Sequence, residues 1–123
     1  METPRRYDLQ DRLVDYAVAI IGTIKTFDRS DAGRHVRSQL LRSGTSPAPN
    51  YGEAQSAESR ADFIHKLKIA LKELRESEVW LRVAERAELT REPQRLQSVL
   101  KETNELVSIL VTSIGTARRN ADT

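Results

Sequence analysis

Phe63, Leu67, Ala70, Leu74, Ser77, Leu81 and Ala84 recur at alternating spacings of four and three, a register that keeps them together on one face only in an α-helix. A stripe sustained over that length is the seam of a helix packing at a shallow angle against neighbours, so it predicts a helical bundle. Ser59 stands just before the stripe as an N-cap. Its hydroxyl is placed to accept from the Asp62 N–H, while the Asp62 carboxylate reaches back towards Ser59 and favours the positive helix end. Beside the stripe runs a second line, Ile69, Glu73, Glu76, Trp80 and Val83, which mixes apolar residues with carboxylates. It reads either as a partly solvated edge where Trp80 covers a gap, or as a subunit interface, where Trp anchors are enriched. Asp62 with Lys66 and Glu78 with Arg82 are oppositely charged at i, i+4 and are expected to pair on the helix surface.

The remaining chain supplies partners for that helix. Asp8 is placed to cap a first helix over about residues 8–27, with an apolar stripe of Leu9, Leu13, Ala17, Ile20, Ile24 and Phe27. After the polar turn Asp28-Arg29-Ser30, Ser30 or Asp31 caps a second helix containing Val36, Leu40 and Leu41, and so short a connection implies antiparallel neighbours. Pro47 and Pro49 each delete an N–H and push the preceding residue away from helical angles. Helical character resumes through Tyr51, Glu53, Ala54 and Ala57, so this segment is one long bent helix or two short ones. Thr90 to Pro93 reads as a turn, with Pro93 in the tolerated first turn of a last helix. That helix carries Leu96, Val99, Leu100, Thr103, Leu106, Val107, Leu110, Ile114 and Ala117, its face widened by Ile109 and Val111. The predicted fold is all-α: an antiparallel up-down four-helix bundle, its second helix kinked or broken near Pro47 to Pro49. A single domain spans 1–123, with disordered ends over about 1–6 and 120–123. At 123 residues a domain hides about two thirds of the surface its unfolded chain exposes, enough for a core without staples.

Several function classes drop away. With no cysteine there are no disulfides and no thiolate metal sites. Apolar runs are short and broken by charge, and METPRRYDLQDR lacks the apolar region of a signal peptide. The expectation is a soluble cytoplasmic protein that does not enter membranes. Charged residues make up 31% of the chain, yet net charge is only +2, so bulk charge selects no partner. Local asymmetry says more: Arg29, Arg34, Arg37 and Arg42 face only Asp31 in their segment, and Arg118 and Arg119 close the last helix.

A family likeness sits in an ordered set of motifs: Leu40-Leu41-Arg42-Ser43-Gly44-Thr45-Ser46, Asn50-Tyr51-x-Glu53-Ala54, Ala57-Glu58-Ser59-x-Ala61-Asp62-Phe63-Ile64-His65-Lys66, Ile69-Ala70-x-Lys72-Glu73, and Glu76 to Trp80-Leu81. Together they closely resemble the bacterial four-helix bundle proteins encoded in intervening sequences of 23S rRNA genes. The resemblance spans nearly the whole chain and implies a bundle whose second helix tolerates the Ser/Pro region. It also implies similarity to the accessory protein of diversity-generating retroelements, a homopentameric basic bundle that binds nucleic acid. A homo-oligomer, with a pentamer as the form the resemblance suggests, is therefore expected. The chain departs from the family pattern in carrying Pro47-Ala48-Pro49, where a single proline or an Ile-Gly pair is expected.

No catalytic signature accompanies these motifs. Asp62 and His65 share a helical face, but a carboxylate di-metal bundle needs Glu-x-x-His on each of two helices plus two further glutamates, and the chain has no such pair. His65 is read as structural. Nucleophile motifs are absent, and Ser43-Gly44-Thr45-Ser46 lacks the Lys of a phosphate loop. Neither an enzyme, nor a cofactor, nor a small-molecule substrate is expected. Asn50, Glu53, Asp62, His65, Glu73, Glu76 and Trp80 are candidates for a structural or interface network, in which Asn50 and Glu53 of the second helix would face Lys72, Glu73 and Glu76 of the third. Arg34, Arg37, Arg42, Lys66, Lys68, Lys72, Arg118 and Arg119 are candidates for phosphate contact with RNA or DNA. The leading reading is thus a non-enzymatic oligomeric scaffold binding structured RNA or DNA electrostatically. The alternatives are a protein-interaction bundle without nucleic acid and an unrecognised hydrolase or metal protein.

Overall fold

The computed structural model of the chain describes residues 8–121, so the expectation of disordered ends falls, except at residues 120 and 121, outside the described residues. Five helical segments follow one another: α1 (Leu9–Ile24), α2 (Asp31–Thr45), α3 (Pro47–Gln55), α4 (Arg60–Arg86) and α5 (Pro93–Ala121). Each of the first, second and fourth starts where a side-chain oxygen takes an otherwise orphaned N–H. Asp8 accepts from Asp11 at 2.8 Å, Ser30 from Gly33 at 3.0 Å, and Ser59 from Asp62 at 3.0 Å.

Between α2 and α3, Ser46 stays in the helical region (φ −78°, ψ −35°), so the two segments form one helix bent at that residue. Pro47 and Pro49 withhold the N–H groups that would bond the carbonyls of Ser43 and Thr45. Asn50 holds the bend from below, its side-chain amide donating to the Ser46 carbonyl at 3.0 Å and to Ser46 Oγ at 2.9 Å. With α2 and α3 joined, the architecture is a four-helix bundle.

α4 packs against α5, α3 and α2, while α1 packs against α2, α5 and α3, so α1 and α4 lie diagonally across the core. The seam expected on α4 is buried from Leu67 to Ala84, with Phe63 half-buried at its start. First-helix boundaries differ from expectation: α1 stops at Ile24, because Thr26 and Phe27 turn away to meet the other connection at that end. Phe27 and Thr90 form an isolated antiparallel bridge, and Asp28 N–H donates to the Leu89 carbonyl at 2.8 Å. Leu41, next to Leu40 in the second helix, is 45% exposed. One residue of rotation separates it from buried Leu40, and Ser43 and Gly44 take the next inward positions.

Candidate nucleic-acid interface

On the α2–α4 edge four of the sequence-selected residues, Arg42, Glu73, Glu76 and Trp80, fall into one cluster. Arg42 of α2 reaches across to α4, its Nη1 donating to Glu73 at 2.8 Å and its Nη2 to Glu76. Glu76 also accepts from Trp80 Nε1 at 3.1 Å, and the indole meets the His35 ring edge-on with centroids 5.6 Å apart. The Glu73 side chain is only 13% exposed, so its charge needs the guanidinium it receives. One seam of the bundle is therefore closed by an Arg fork, two carboxylates and an aromatic pair, all within a single chain.

The other network candidates lie apart from this cluster. Asn50 serves the bend. Glu53 of α3 pairs with Lys66 of α4 at 2.8 Å, which raises the lysine pKa through that hydrogen bond and the attached charge. The expected Asp62–Lys66 pair is thereby replaced, with Asp62 adding only a weaker attraction. No ion pair joins Glu78 to Arg82 among the described residues. His65 is exposed, and Lys72, expected near Glu73 and Glu76, lies on the outward side of α4.

The basic candidates divide by whether they are already neutralised. Arg34 pairs with Asp31 at 2.8 Å within α2, and Arg42 and Lys66 are held as described. Lys68, Lys72 and Arg118 are exposed, and Arg37 is half-buried, without ion pairs among the described residues. Arg119 is exposed and donates to Thr116 Oγ1 at 3.2 Å. The sequence candidates omit Arg75 and Arg86 and give Arg82 only to a pair with Glu78, yet all three are exposed cations of α4 in no such pair among the described residues. They are scattered among carboxylates in the linear sequence, and only their position opposite the apolar seam would have singled them out.

Across the bundle, Arg12 of α1 clamps α5 by donating to Glu102 at 2.7 and 2.8 Å and to Glu105 at 3.0 Å. The hydrogen bond from Arg12 holds the Glu102 carboxyl below its ordinary range, against the opposing effect of burial. Beside this clamp, open grooves of about 440 and 540 Å³ follow the α1–α5 seam. The first is lined by Asp15, Tyr16, Lys101 and Glu102, the second by Arg12, Asn104 and Ile109. Tyr16 is sealed beneath, its hydroxyl 2.7 Å from Thr103 Oγ1 and its pKa pushed up to about 12 by burial. No group of three His, Asp or Glu is positioned to hold a metal ion among the described residues, and no helix is long and apolar enough to cross a membrane.

Comparison with known proteins gives two findings. The family described as 23S rRNA-intervening sequence protein matches residues 5–112. The chain is also similar to a protein of unknown function from the S23 ribosomal protein family of Bacteroides thetaiotaomicron, known from its crystal structure. The two share 39% sequence identity with a TM-score of 0.77, over 87% of this chain and 98% of that one. No curated protein matches.

Proposed function

Because the chain belongs to the 23S rRNA-intervening sequence protein family, we propose that it is a non-enzymatic scaffold that assembles with copies of itself and binds structured RNA or DNA through backbone phosphates. The observation that carries this reading is the division of its cations. Arg12, Arg34, Arg42 and Lys66 are spent on ion pairs, whereas Lys68, Lys72 and Arg118 face outward without one among the described residues. Cations left in solvent are free to displace the counterions of a nucleic acid, which gives affinity without sequence reading.

Self-association is supported by Val14, Val18 and Ile21, which line one outward face of α1 and are 45%, 63% and 38% exposed. Repetition of a weak basic patch in an oligomer multiplies affinity wherever the ligand spans several copies. The test is fluorescence anisotropy of a labelled structured ribosomal RNA fragment between about 50 and 200 mM salt, a range that costs several phosphate contacts orders of magnitude in affinity. Steeply salt-dependent binding is the expected result. Absence of binding at the low end overturns the reading and leaves a protein-interaction bundle, with the α1 stripe as its contact face.

A further inference from the structure

Deepening the nucleic-acid reading and resting on it, we propose that the outer face of α4 is a docking line for the phosphate backbone of a nucleic-acid duplex. Lys68, Lys72, Arg75, Val79, Arg82 and Arg86 follow one another at spacings of four and three, the same register as the buried seam but on the opposite side of the helix, and all six are exposed. At 1.5 Å of rise per residue the line is about 27 Å long, the length of about eight stacked base pairs.

What separates this face from an ordinary solvated one is where the carboxylates went. α4 also carries Asp62, Glu73, Glu76, Glu78 and Glu85, and every one of them is half-buried on a flank. Glu73 and Glu76 are further occupied by Arg42 and Trp80. A helix surface built for solubility interleaves Glu with Lys at i, i+4. Here Lys68 and Lys72, and likewise Arg82 and Arg86, set like charges at that spacing, where they repel one another. A polyanion laid along the line removes that repulsion, and the arginine forks suit phosphate oxygens.

The occupant is a duplex because the face offers nothing for unpaired bases to stack upon. No aromatic residue stands on the line, and Trp80 on its flank is half-buried with its N–H already bonded. A ligand whose bases are stacked inside and whose phosphates lie outside fits a straight cationic edge; a single strand gains its affinity from aromatic platforms. Since the contacts read phosphates alone, DNA and RNA duplexes serve equally.

The experiment measures anisotropy of a fluorescein-labelled 20-base-pair DNA duplex of mixed sequence and of its single strand, using the full chain (duplex length chosen to exceed the roughly eight-base-pair line). Five phosphate contacts make affinity fall about 500-fold between 50 and 200 mM salt. The triple variant K72Q/R75Q/R82Q, changed only at exposed positions and checked by circular dichroism, is expected to lower the log–log salt slope by about three, and Arg75→Gln alone by about one. The double variant K25Q/R95Q, changed at exposed positions outside α4, keeps the wild-type slope. A triple variant with wild-type affinity and slope overturns the docking line while the broader function stands. So does a triple variant that changes only the assembled mass, which gives the face to a second copy of the chain. Single strand bound as tightly as duplex, or ribosomal RNA bound with DNA duplex ignored, also overturns it. Failure of the wild type to bind any nucleic acid at 50 mM salt removes the parent reading as well.

Discussion

At Gly44 the helices α1 and α2 come into direct contact: an ideal Cβ there would lie 2.7 Å from Ile20 Cγ1 and 2.8 Å from Cγ2. Ile20 is fully buried and has no room to retreat. Gly44→Ala is therefore expected to destabilise the bundle by about 1–3 kcal/mol through overpacking, read from the midpoint of urea denaturation. Tyr16 makes a second residue-scale prediction, in pH. Burial raises its pKa from 10.0 to about 12, so between those values the unfolded chain gives up the phenolic proton that the folded chain still holds. Stability is complete below pH 10 and is expected to fall by up to about 2–3 kcal/mol as pH rises to 12. Tyr16→Phe should flatten that fall in thermal melts across the range, while losing about 1 kcal/mol near neutrality with the hydrogen bond to Thr103. The sequence showed Gly44 only as part of the Ser43–Ser46 motif and did not single out Tyr16, since a small residue at a helix crossing and a buried hydroxyl both depend on the partner helix.

Helix starts, by contrast, were legible, because a cap acts within one turn: Ser59, Ser30 and Asp8 each do what their spacing implied. The α4 seam was legible for the same reason, its period being a property of one segment. Less was visible where elements meet. The prolines announced an interruption between α2 and α3, but whether it bends or breaks turns on Ser46 keeping helical angles and on Asn50 bonding back to it. Arg42 was read as a phosphate contact although its fork is filled by Glu73 and Glu76, a pairing fixed by how α2 rotates against α4. The end of α4 offers an element-scale test. Glu88 adopts φ 55° there, and Leu89 N–H bonds back to the Ala84 carbonyl at 3.0 Å, closing a Schellman-type cap around a residue with a side chain. A left-handed conformation costs such a residue about 1–2 kcal/mol, part of which glycine returns through its freer unfolded chain. Glu88→Gly is expected to raise stability by about 0.5–1 kcal/mol, and an unchanged or lower melting temperature would show that the glutamate is not strained.

At the scale of the whole molecule, two surfaces compete as the site of the proposed self-association, and the structure treats them differently. Trp80, which the sequence offered either as cover for a gap or as an interface anchor, already has partners inside its own chain: Glu76 takes its N–H and His35 its ring edge. Val14, Val18 and Ile21 have no such cover, and their succession along α1 gives one apolar face rather than scattered exposure. A contact between copies that buries this face cannot accept a charge at its centre without leaving it desolvated. Val18→Glu is therefore expected to reduce the assembly to single chains by light scattering, with circular dichroism unchanged because the position is solvent-facing in the monomer. Trp80→Ala is expected to do the reverse. It opens a gap between α2 and α4 and lowers stability by about 2 kcal/mol, below the ~3–5 kcal/mol of a fully buried aromatic, while the assembled mass stays as it was. A monomeric Trp80→Ala beside an intact Val18→Glu oligomer would move the subunit contact to the α2–α4 edge. In that arrangement the Arg42 cluster would lie at the subunit boundary, and reversing Arg42 would then disrupt assembly as well as the seam it closes within one chain.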